Sequence, residues 1–492
     1  MNRLSLRKTA CTLLVIGAAT TTASPAQTYH ALLSFNSSGG NSPVDAGLVQ
    51  GPDGNLYGTT FYGGNGSCSF GCGTVFKMTP RGALTTLHSF SGLDGANPAS
   101  GLVLGLDGSF YGTTNNDGGG AYCLSGNACG TIFKMTPSGT LTTLYSFCSQ
   151  ANCADGYGPR PLIQAGNGSL YGTTAYGGNS DLLGCGTIFQ INPAASGTLT
   201  TLFTFPGEPG GCEPFGLVLA ANGNFYGTTY FGGHGNYGTV FAFTPQGTLT
   251  TLYTFCSQTD CVDGQFPSAG LIQATDGNFY GVTSYGGDSV ACSGGCGTVF
   301  KITATGTFSS MHSFAATDGF DPDAGLIQAT DGNLYGTTVE GGYDYMCPGG
   351  CGTIFEITPG GTFTNLYDLT IFDAGADLRS PLVQDTNGIF YGNTFAGGLD
   401  GGGVVFTLMT GLSPFVETLP TLGAVGARVT ILGTNLTGTT SVTFNGAAAT
   451  FTVNPTGTAI KTTVPSGATT GTVQVVTPGG TLSSNVPFRV RH

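Results

Sequence analysis

The sequence predicts an all-β protein: a seven-bladed β-propeller followed by an immunoglobulin-like β-sandwich. Three observations carry that expectation. One tetrapeptide, YGTT or a near variant, recurs seven times, beginning at Tyr57, Tyr111, Tyr171, Tyr226, Tyr280, Tyr335 and Tyr391, at steps of 54 to 60 residues. A period of this length marks one supersecondary unit stacked repeatedly. The composition, with Gly at 86 of 492 residues, charged residues at 8% and no Trp, suits short strands and tight turns rather than long helices. After Leu412 the repeat and the cysteines both stop, and Val, Thr and Gly dominate to the C-terminus.

The chain opens on a leader. Arg3, Arg7 and Lys8 precede a short apolar core, Ala10 to Ala19, and Ser24-Pro25-Ala26 offers a small-residue cleavage site before Gln27. Residues 1–26 therefore read as a signal peptide, since a membrane span needs about 20 apolar residues. No other apolar run is long enough to span a bilayer, so the mature chain is expected without a transmembrane segment. It is expected to be secreted or held at the cell surface. Loss of Arg3, Arg7 and Lys8 takes the formal charge from −13 to −16, which argues against nucleic acid and anionic lipid as partners.

Residues 101–147 show how one repeat folds. Gly101 to Leu104 is a short apolar run, Asp107-Gly108 makes a turn, and Ser109 to Thr114 returns. Asp-Gly or Asn-Gly stands at the equivalent place in all seven copies, a hairpin signal whose favoured turn has positive φ at both residues. A Gly-rich loop leads to a third strand, Thr131 to Thr136, and Pro137-Ser138-Gly139 turns the chain into a fourth, Leu141 to Phe147. Four antiparallel strands per repeat make a propeller blade. Ala31 to Phe35 matches the fourth strand of the other copies, while no fourth strand follows Val404 to Thr410. The N-terminal strand is therefore expected to complete the last blade and remove the open edge. The propeller spans 28–412, and the sandwich 413–492.

Without Cys11, fourteen cysteines remain. Twelve form close pairs, Cys68/Cys72, Cys123/Cys129, Cys148/Cys153, Cys256/Cys261, Cys292/Cys296 and Cys347/Cys351, which leaves Cys185 and Cys212 for each other. An even count in an exported chain reads as disulfides. The rival reading is zinc, because C-x3-C falls within ligand spacing, but no pair has a neighbouring His or second pair. No metal and no cofactor is expected.

Two resemblances follow from these residues. The repeat GL[VI]Q-x-x-DGN[LF]YGTT…GT[VI]F-x-[IM]TPxGTLTTLYSF, over roughly residues 30–410, resembles the GloVer (Gloeo_Verruco) tandem repeat of bacterial exported proteins. That resemblance implies a propeller-like, surface-destined protein and supplies no activity. The tail resembles an IPT/TIG domain through Gly426, Val429-Thr430-Ile431, Gly433, Val442, Phe444-Asn445-Gly446, Val464-Pro465, Pro478-Gly479 and Phe488. It implies an immunoglobulin-like spacer or binding module.

In such blades the loops after strands two and four leave on one face, and every mature cysteine lies in those loops. The same face carries D-G-x-x-P segments beginning at Asp94, Asp155, Asp263 and Asp318, and aromatic-Gly-Gly segments beginning at Tyr62, Tyr176, Phe231 and Tyr285. Aromatic rings beside polar groups suit sugars or peptides. The plainer readings are that each Asp closes its own turn and that the Tyr of YGTT packs between blades. His88 and His312 share a fourth-strand position and read as structural, whereas His234 stands in a strand-two loop of the candidate face. No G-x-S-x-G, H-E-x-x-H, EF-hand or P-loop motif occurs, so no catalytic residue is assigned. The expectation is a non-enzymatic exported binding or scaffold protein. Its partner would be an extracellular or cell-surface protein or glycan, met on the disulfide face. The alternatives are a secreted polysaccharide-acting enzyme with an accessory tail, or a structural protein of the envelope or matrix.

Overall fold

The computed structural model describes residues 27–36, 39–43, 47–121, 129–178, 184–194, 198–343, 347, 349–370 and 375–491. The expected leader lies outside them, and so does Cys123, the expected partner of Cys129. The propeller consists of seven antiparallel sheets. In blade one the strands are Val49–Gln50, Leu56–Thr60, Thr74–Met78 and Leu84–Ser89, in spatial order. Blades two to six repeat this order, and in blades three and four a further short strand, Tyr157–Pro159 or Cys212–Pro214, also pairs with the second strand. The seventh is completed by the N-terminal strand Thr28–Ser34, which pairs antiparallel with Val404–Met409, Thr28 facing Met409 and Ser34 facing Val404. That strand starts three residues before the expected Ala31.

Each residue of the repeated tetrapeptide has a separate task. Where the next blade has Phe just before its tetrapeptide the tyrosine packs on that ring, with centroids 4.0 Å apart for Tyr57 and Phe110 and for Tyr226 and Phe279, while Tyr111, Tyr280 and Tyr391 meet Leu170, Leu334 and Leu56 there. In the blades with Asp four residues earlier its hydroxyl donates to that turn carboxylate, as in Tyr111 to Asp107 at 2.9 Å and Tyr335 to Asp331 at 2.8 Å, and at Tyr226 and Tyr391 it accepts from the Asn222 and Asn387 amides. The glycine leaves room for the third-strand phenylalanine: a Cβ on Gly112 would lie 2.5 Å from the Phe133 ring. The first threonine reaches the next blade, as Thr228 does in donating to the Ala269 carbonyl at 2.8 Å. The second bonds the threonine opening strand three, as in Thr114 and Thr131 at 2.9 Å. Buried hydroxyls are thus paired, as burial requires.

The hairpin turns differ from expectation. Gly54 and Gly108 have φ of 77° and 78°, whereas Asp53 and Asp107 do not take positive φ. The Gly54 N–H donates to the Gly51 carbonyl at 2.9 Å, closing a turn with Pro52 and Asp53 at its centre. Pro and Asp both fit a type I turn, and glycine alone supplies the left-handed residue that follows.

A further device sits at the end of strand one. Gln164, Gln273, Gln328, Gln384 and Gln50 each accept a hydrogen bond at Oε1 from the backbone of the preceding blade. The donors are Leu106, Ala221, Thr275, Thr330 and Thr386, at 2.8–3.3 Å. Blades two and four carry Leu104 and Leu219 at this position, so two of the seven joints lack the clamp.

The C-terminal domain pairs the sheet formed by Val416–Leu419, Arg428–Gly433, Ala459–Thr463 and Phe451–Val453 with one formed by Ala447–Ala448, Ser441–Phe444, Val473–Thr477 and Gly480–Ser483. Val429, Ile431, Val442, Ile460, Val475 and Phe488 fill the space between them. The domain seats on the turns opposite the disulfide face. Asn454 Nδ2 and Thr458 Oγ1 donate to the Pro52 carbonyl at 2.9 and 2.7 Å, and the Phe415 N–H donates to the Thr386 carbonyl at 3.0 Å. Leu432 and Ala459 join the apolar cluster of Tyr57, Leu104 and Phe110.

Candidate functional site

The mouth of the central channel is built from one repeated loop. Where each inter-blade loop enters strand one, a residue takes left-handed backbone: Ser42, Asn97, Gly158, Glu213, Phe266, Asp321 and Asp377, with φ of 53° to 69°. Its N–H is spent on the neighbouring blade, as from Asn97 to the Cys72 carbonyl at 2.7 Å and from Phe266 to the Tyr237 carbonyl at 2.8 Å. Six of these seven are not glycine, and each such residue stores on the order of 1 kcal/mol of strain. In blades one to three the position holds small polar residues or glycine. In blades four to seven it holds acids and a phenylalanine.

Two residues further on, Arg160, Phe215, Ser268, Asp323 and Arg379 line the channel itself, a cavity of about 380 Å³ walled by strand-one segments of all seven blades. The Arg160 guanidinium carbon lies 4.4 Å above the Phe215 ring centre. Its Nε is shut off from water and has no hydrogen-bond acceptor. Arg379 Nε is paired with Asp377 Oδ1 at 2.7 Å.

Tyr62, Tyr176, Phe231 and Tyr285 occupy one equivalent position, each facing the strand-one entry loop across a β-bridge or strand pair. Their opposite residues are Asn41, Tyr157, Cys212 and Gln265. The structure brings two of the four together. Phe266 lies between Phe231 and Tyr285, 5.8 and 6.3 Å from them, and Tyr230 stacks on Phe266 at 5.2 Å. Phe215 and Phe320 extend this band at its ends, 6.2 Å from Tyr230 and 6.0 Å from Tyr285. All six rings are partly exposed. Tyr176 stands apart, tilted against Tyr157 at 5.3 Å and hydrogen-bonded to Glu213. Tyr62 packs against Phe61 and Phe70 in blade one.

The four aspartates of D-G-x-x-P lie in separate loops. Asp155 accepts from the Tyr145 hydroxyl at 2.8 Å and the Ser149 N–H at 2.9 Å, and Asp263 does the same with Tyr253 and Ser257 at 2.7 and 2.9 Å. Asp94 and Asp318 meet His88 and His312 at 2.7 and 3.2 Å. Each carboxylate thus ties its loop to the fourth strand behind it. Burial acts to raise the Asp94 carboxyl, but bonds from Ser91 and His88 outweigh it and hold it below the usual range. His234 is exposed at its loop tip.

Among the described residues, six disulfides join Cys68–Cys72, Cys148–Cys153, Cys185–Cys212, Cys256–Cys261, Cys292–Cys296 and Cys347–Cys351. The expected bond of Cys129 is not among these six, because its expected partner Cys123 lies outside the described residues. Cys129 itself is buried and disulfide-bonded. It packs with Cys148, Cys153 and Tyr157, and its carbonyl accepts from the Gly158 N–H at 3.2 Å. Cys129 therefore sits beside the neighbouring staple, at the seam between blades two and three. Among the described residues, no three His, Cys, Asp or Glu side chains are placed to hold a metal ion.

Several of the residues at the mouth escaped the sequence reading. Asp321, Asp323, Glu213, Tyr230 and Phe266 form one electrostatic and aromatic group with Tyr285. Burial and then the neighbouring Asp323 push the Asp321 carboxyl up to about 7. Burial raises Asp323 too, against hydrogen bonding from Ser268 and the charges of Arg379 and Arg160. Glu213 is raised by burial, with Arg160 and Tyr176 opposing. Tyr230 is lifted to about 12 by burial and then by the nearby Tyr285, Asp323 and Asp321. The available signal was the residue just before the loop proline: Glu213-Pro214, Phe266-Pro267 and Asp321-Pro322 depart from Ser42-Pro43 and Asn97-Pro98.

The Gloeobacter/Verrucomicrobia repeat matches residues 16–154, 125–291 and 260–448, and the IPT/TIG domain matches 410–490. No curated protein matches the chain. Among solved structures it is similar to PorZ, a surface component of the type-IX secretion system of Porphyromonas gingivalis, with TM-score 0.51 at 15% identity over 94% of this chain and 61% of that one. It is also similar to the extracellular domain of a hybrid two component system from B. thetaiotaomicron, with TM-score 0.47 at 12% identity over 94% and 57%. A gluconolactonase from Xanthomonas campestris aligns with TM-score 0.38 at 11% identity over 75% and 86%. The chain thus spans less than two thirds of the first two structures, and likeness at these identities concerns the fold alone. Among the described residues, no helix is long and apolar enough to cross a membrane.

Proposed function

Because the chain belongs to the Gloeobacter/Verrucomicrobia repeat family, whose repeats here build the propeller, we propose that it is an exported binding protein. Its disulfide-stapled face engages a glycan at or outside the cell surface, without catalysis. The observation that carries this reading is the aromatic band Phe215–Tyr230–Phe266–Tyr285–Phe320, continuous across three blades and partly open to solvent. Ring faces of this kind stack on the C–H faces of sugars, and the polar groups around them meet the hydroxyls. The disulfides on the same face support the reading, since a rigid loop loses less entropy on binding. The seating of the C-terminal domain on the other face leaves this one free.

The test is a polysaccharide and oligosaccharide array probed with the oxidised mature protein, with product release followed in the same wells. Binding without release is expected, together with at least a tenfold loss, or about 1.4 kcal/mol, in a Tyr285→Ala variant. Silence across the array would remove the glycan. A second reading, a secreted polysaccharide-acting enzyme, draws on Asp321, whose carboxyl is held near neutrality as a general acid requires. Release of product would establish it and overturn the non-enzymatic reading.

A further inference from the structure

We propose that the groove between the C-terminal domain and the second blade holds an acidic polysaccharide, its carboxylates on Arg428 and Lys461. The protein then stands on such a polymer with the disulfide mouth turned outward. This site lies at the pole opposite the mouth and goes beyond the glycan reading above, on which it does not rest.

Charge is divided unequally along the chain. Residues 27–412 carry 25 acids against six Lys or Arg, whereas residues 413–492 carry the single acid Glu417 against Arg428, Lys461, Arg489 and Arg491. A mature chain of net −16 is therefore a propeller of −19 joined to a domain of +3. The four cations of that domain are all exposed, and among the described residues none of them forms a salt bridge. The propeller acids beside the groove are matched: Asp107 lies 2.7 Å from Lys134, and Asp53 lies 3.9 Å from Lys77. Asp117, Asp288, Glu340 and Asp400, by contrast, stand on loops of the disulfide face. Strands of five residues, roughly 17 Å long, separate the two poles. Exposed charges beyond about 8 Å are largely screened at physiological salt, so the far acids do not cancel the groove.

Two adjoining cavities, of about 600 and about 590 Å³, share Leu106, Asp107, Thr430, Thr452 and Lys461 and so make one groove. In the sheet that walls it, Arg428 stands opposite Thr463, and Lys461 stands opposite Thr430 and Thr452. Strand alternation puts these five side chains on one face, because Val429, Ile431 and Ile460 between them point into the core. Arg428 and Lys461 are diagonal neighbours there, about 7–8 Å apart. Leu432 and Ala459, on the same face, pack against the first two blades and close the groove's inner end. Leu106, 40% exposed, and Pro137 stand on the opposite wall.

This lining suits one kind of ligand. A guanidinium and an ammonium group bind carboxylates through charge-assisted hydrogen bonds. The hydroxyls of Thr430, Thr452 and Thr463 match sugar hydroxyls, and Leu106 with Pro137 offers an apolar wall to C–H faces. A groove between two domains admits one extended chain and excludes a flat bilayer. Duplex nucleic acid, with one charge per about 1.7 Å, would meet only two cations. A sugar acid, with one charge per residue, meets them singly.

The experiment is calorimetric titration of the oxidised mature protein at pH 7 with four probes: galacturonic acid hexamer, its neutral methyl ester, hexaglutamate and a short DNA duplex. The acid hexamer is expected to bind about tenfold or more tightly than the other three, and more weakly as salt is raised. Its affinity should fall by about fivefold in Arg428→Gln and in Lys461→Gln, the upper end for an exposed ion pair. Arg81→Gln, which removes the same charge outside the groove, should keep it. Melting curves identify a variant that fails to fold, and the other then carries the comparison. Equal binding of the methyl ester, or an equal loss in Arg81→Gln, would overturn the two-cation groove. Hexaglutamate or the duplex binding as tightly as the acid hexamer would overturn the saccharide. No binding by any probe would end the proposal. None of these outcomes bears on the mouth, whose reading stands or falls with the array and Tyr285→Ala.

Discussion

At the scale of single residues, the repeat is a set of steric and hydrogen-bonding answers. Gly112 is the clearest. A Cβ there would lie 2.5 Å from Phe133 and 2.9 Å from Leu102, both buried between strands. Gly112→Ala is expected to destabilise the fold by about 1–3 kcal/mol through overpacking, seen as a lower urea midpoint at unchanged slope. The packing role expected for the Tyr of YGTT was legible because a residue present in every blade has to serve the scaffold. The mouth was less legible for the converse reason. Its chemistry lies in residues that change from blade to blade, such as Glu213, Phe266 and Asp321, and only closure of the ring brings them together. Asp94, Asp155, Asp263 and Asp318 drew notice as a pattern, yet each is held within its own loop.

At the scale of elements, strand order and the N-terminal clasp followed from the sequence, because turn residues and alternation are local. The turn geometry did not, since Asp-Gly serves both a two-residue hairpin and a type I turn closed by glycine, and the second forms with Pro52 in blade one and with Leu106 in blade two alike. The glutamine clamps were invisible for another reason: a single Gln at the end of a two-residue strand looks like a solvated edge. Gln273 accepts from Ala221 of the preceding blade at 2.9 Å and donates to its own Gly277 carbonyl at 3.1 Å. Gln273→Leu, which copies Leu104 and Leu219, should fold and lose about 1 kcal/mol. An unchanged unfolding midpoint would show that the clamp contributes nothing.

At the scale of the whole molecule, two carboxyls sit where the domains meet. Burial pushes Asp385 up to about 6. Burial, and then the charge of Asp385, push Glu417 up to about 7. Both acids hold protons more tightly folded than unfolded, so folding takes protons up and stability falls as pH rises between about 4 and 7, levelling off above. Thermal unfolding should therefore show a melting temperature that declines over this range. Glu417→Gln is expected to flatten the decline and to raise stability at pH 8 by about 2 kcal/mol. A variant that tracks the wild type at every pH would place the titration elsewhere.

The two joints without a glutamine clamp lie between blades one and two and between blades three and four. The C-terminal domain lies along both. Leu432 and Ala459 meet Tyr57, Leu104 and Phe110 at the first, and Leu422 comes within contact of Gly166 beside Leu219 at the second. At the first joint the clamp is also denied a donor, because the backbone nitrogen it would use belongs to Pro52. The carbonyl of that proline is instead taken by Asn454 and Thr458. The terminal sandwich is therefore a brace laid across the two seams that lack a glutamine clamp, on the pole opposite the disulfide mouth.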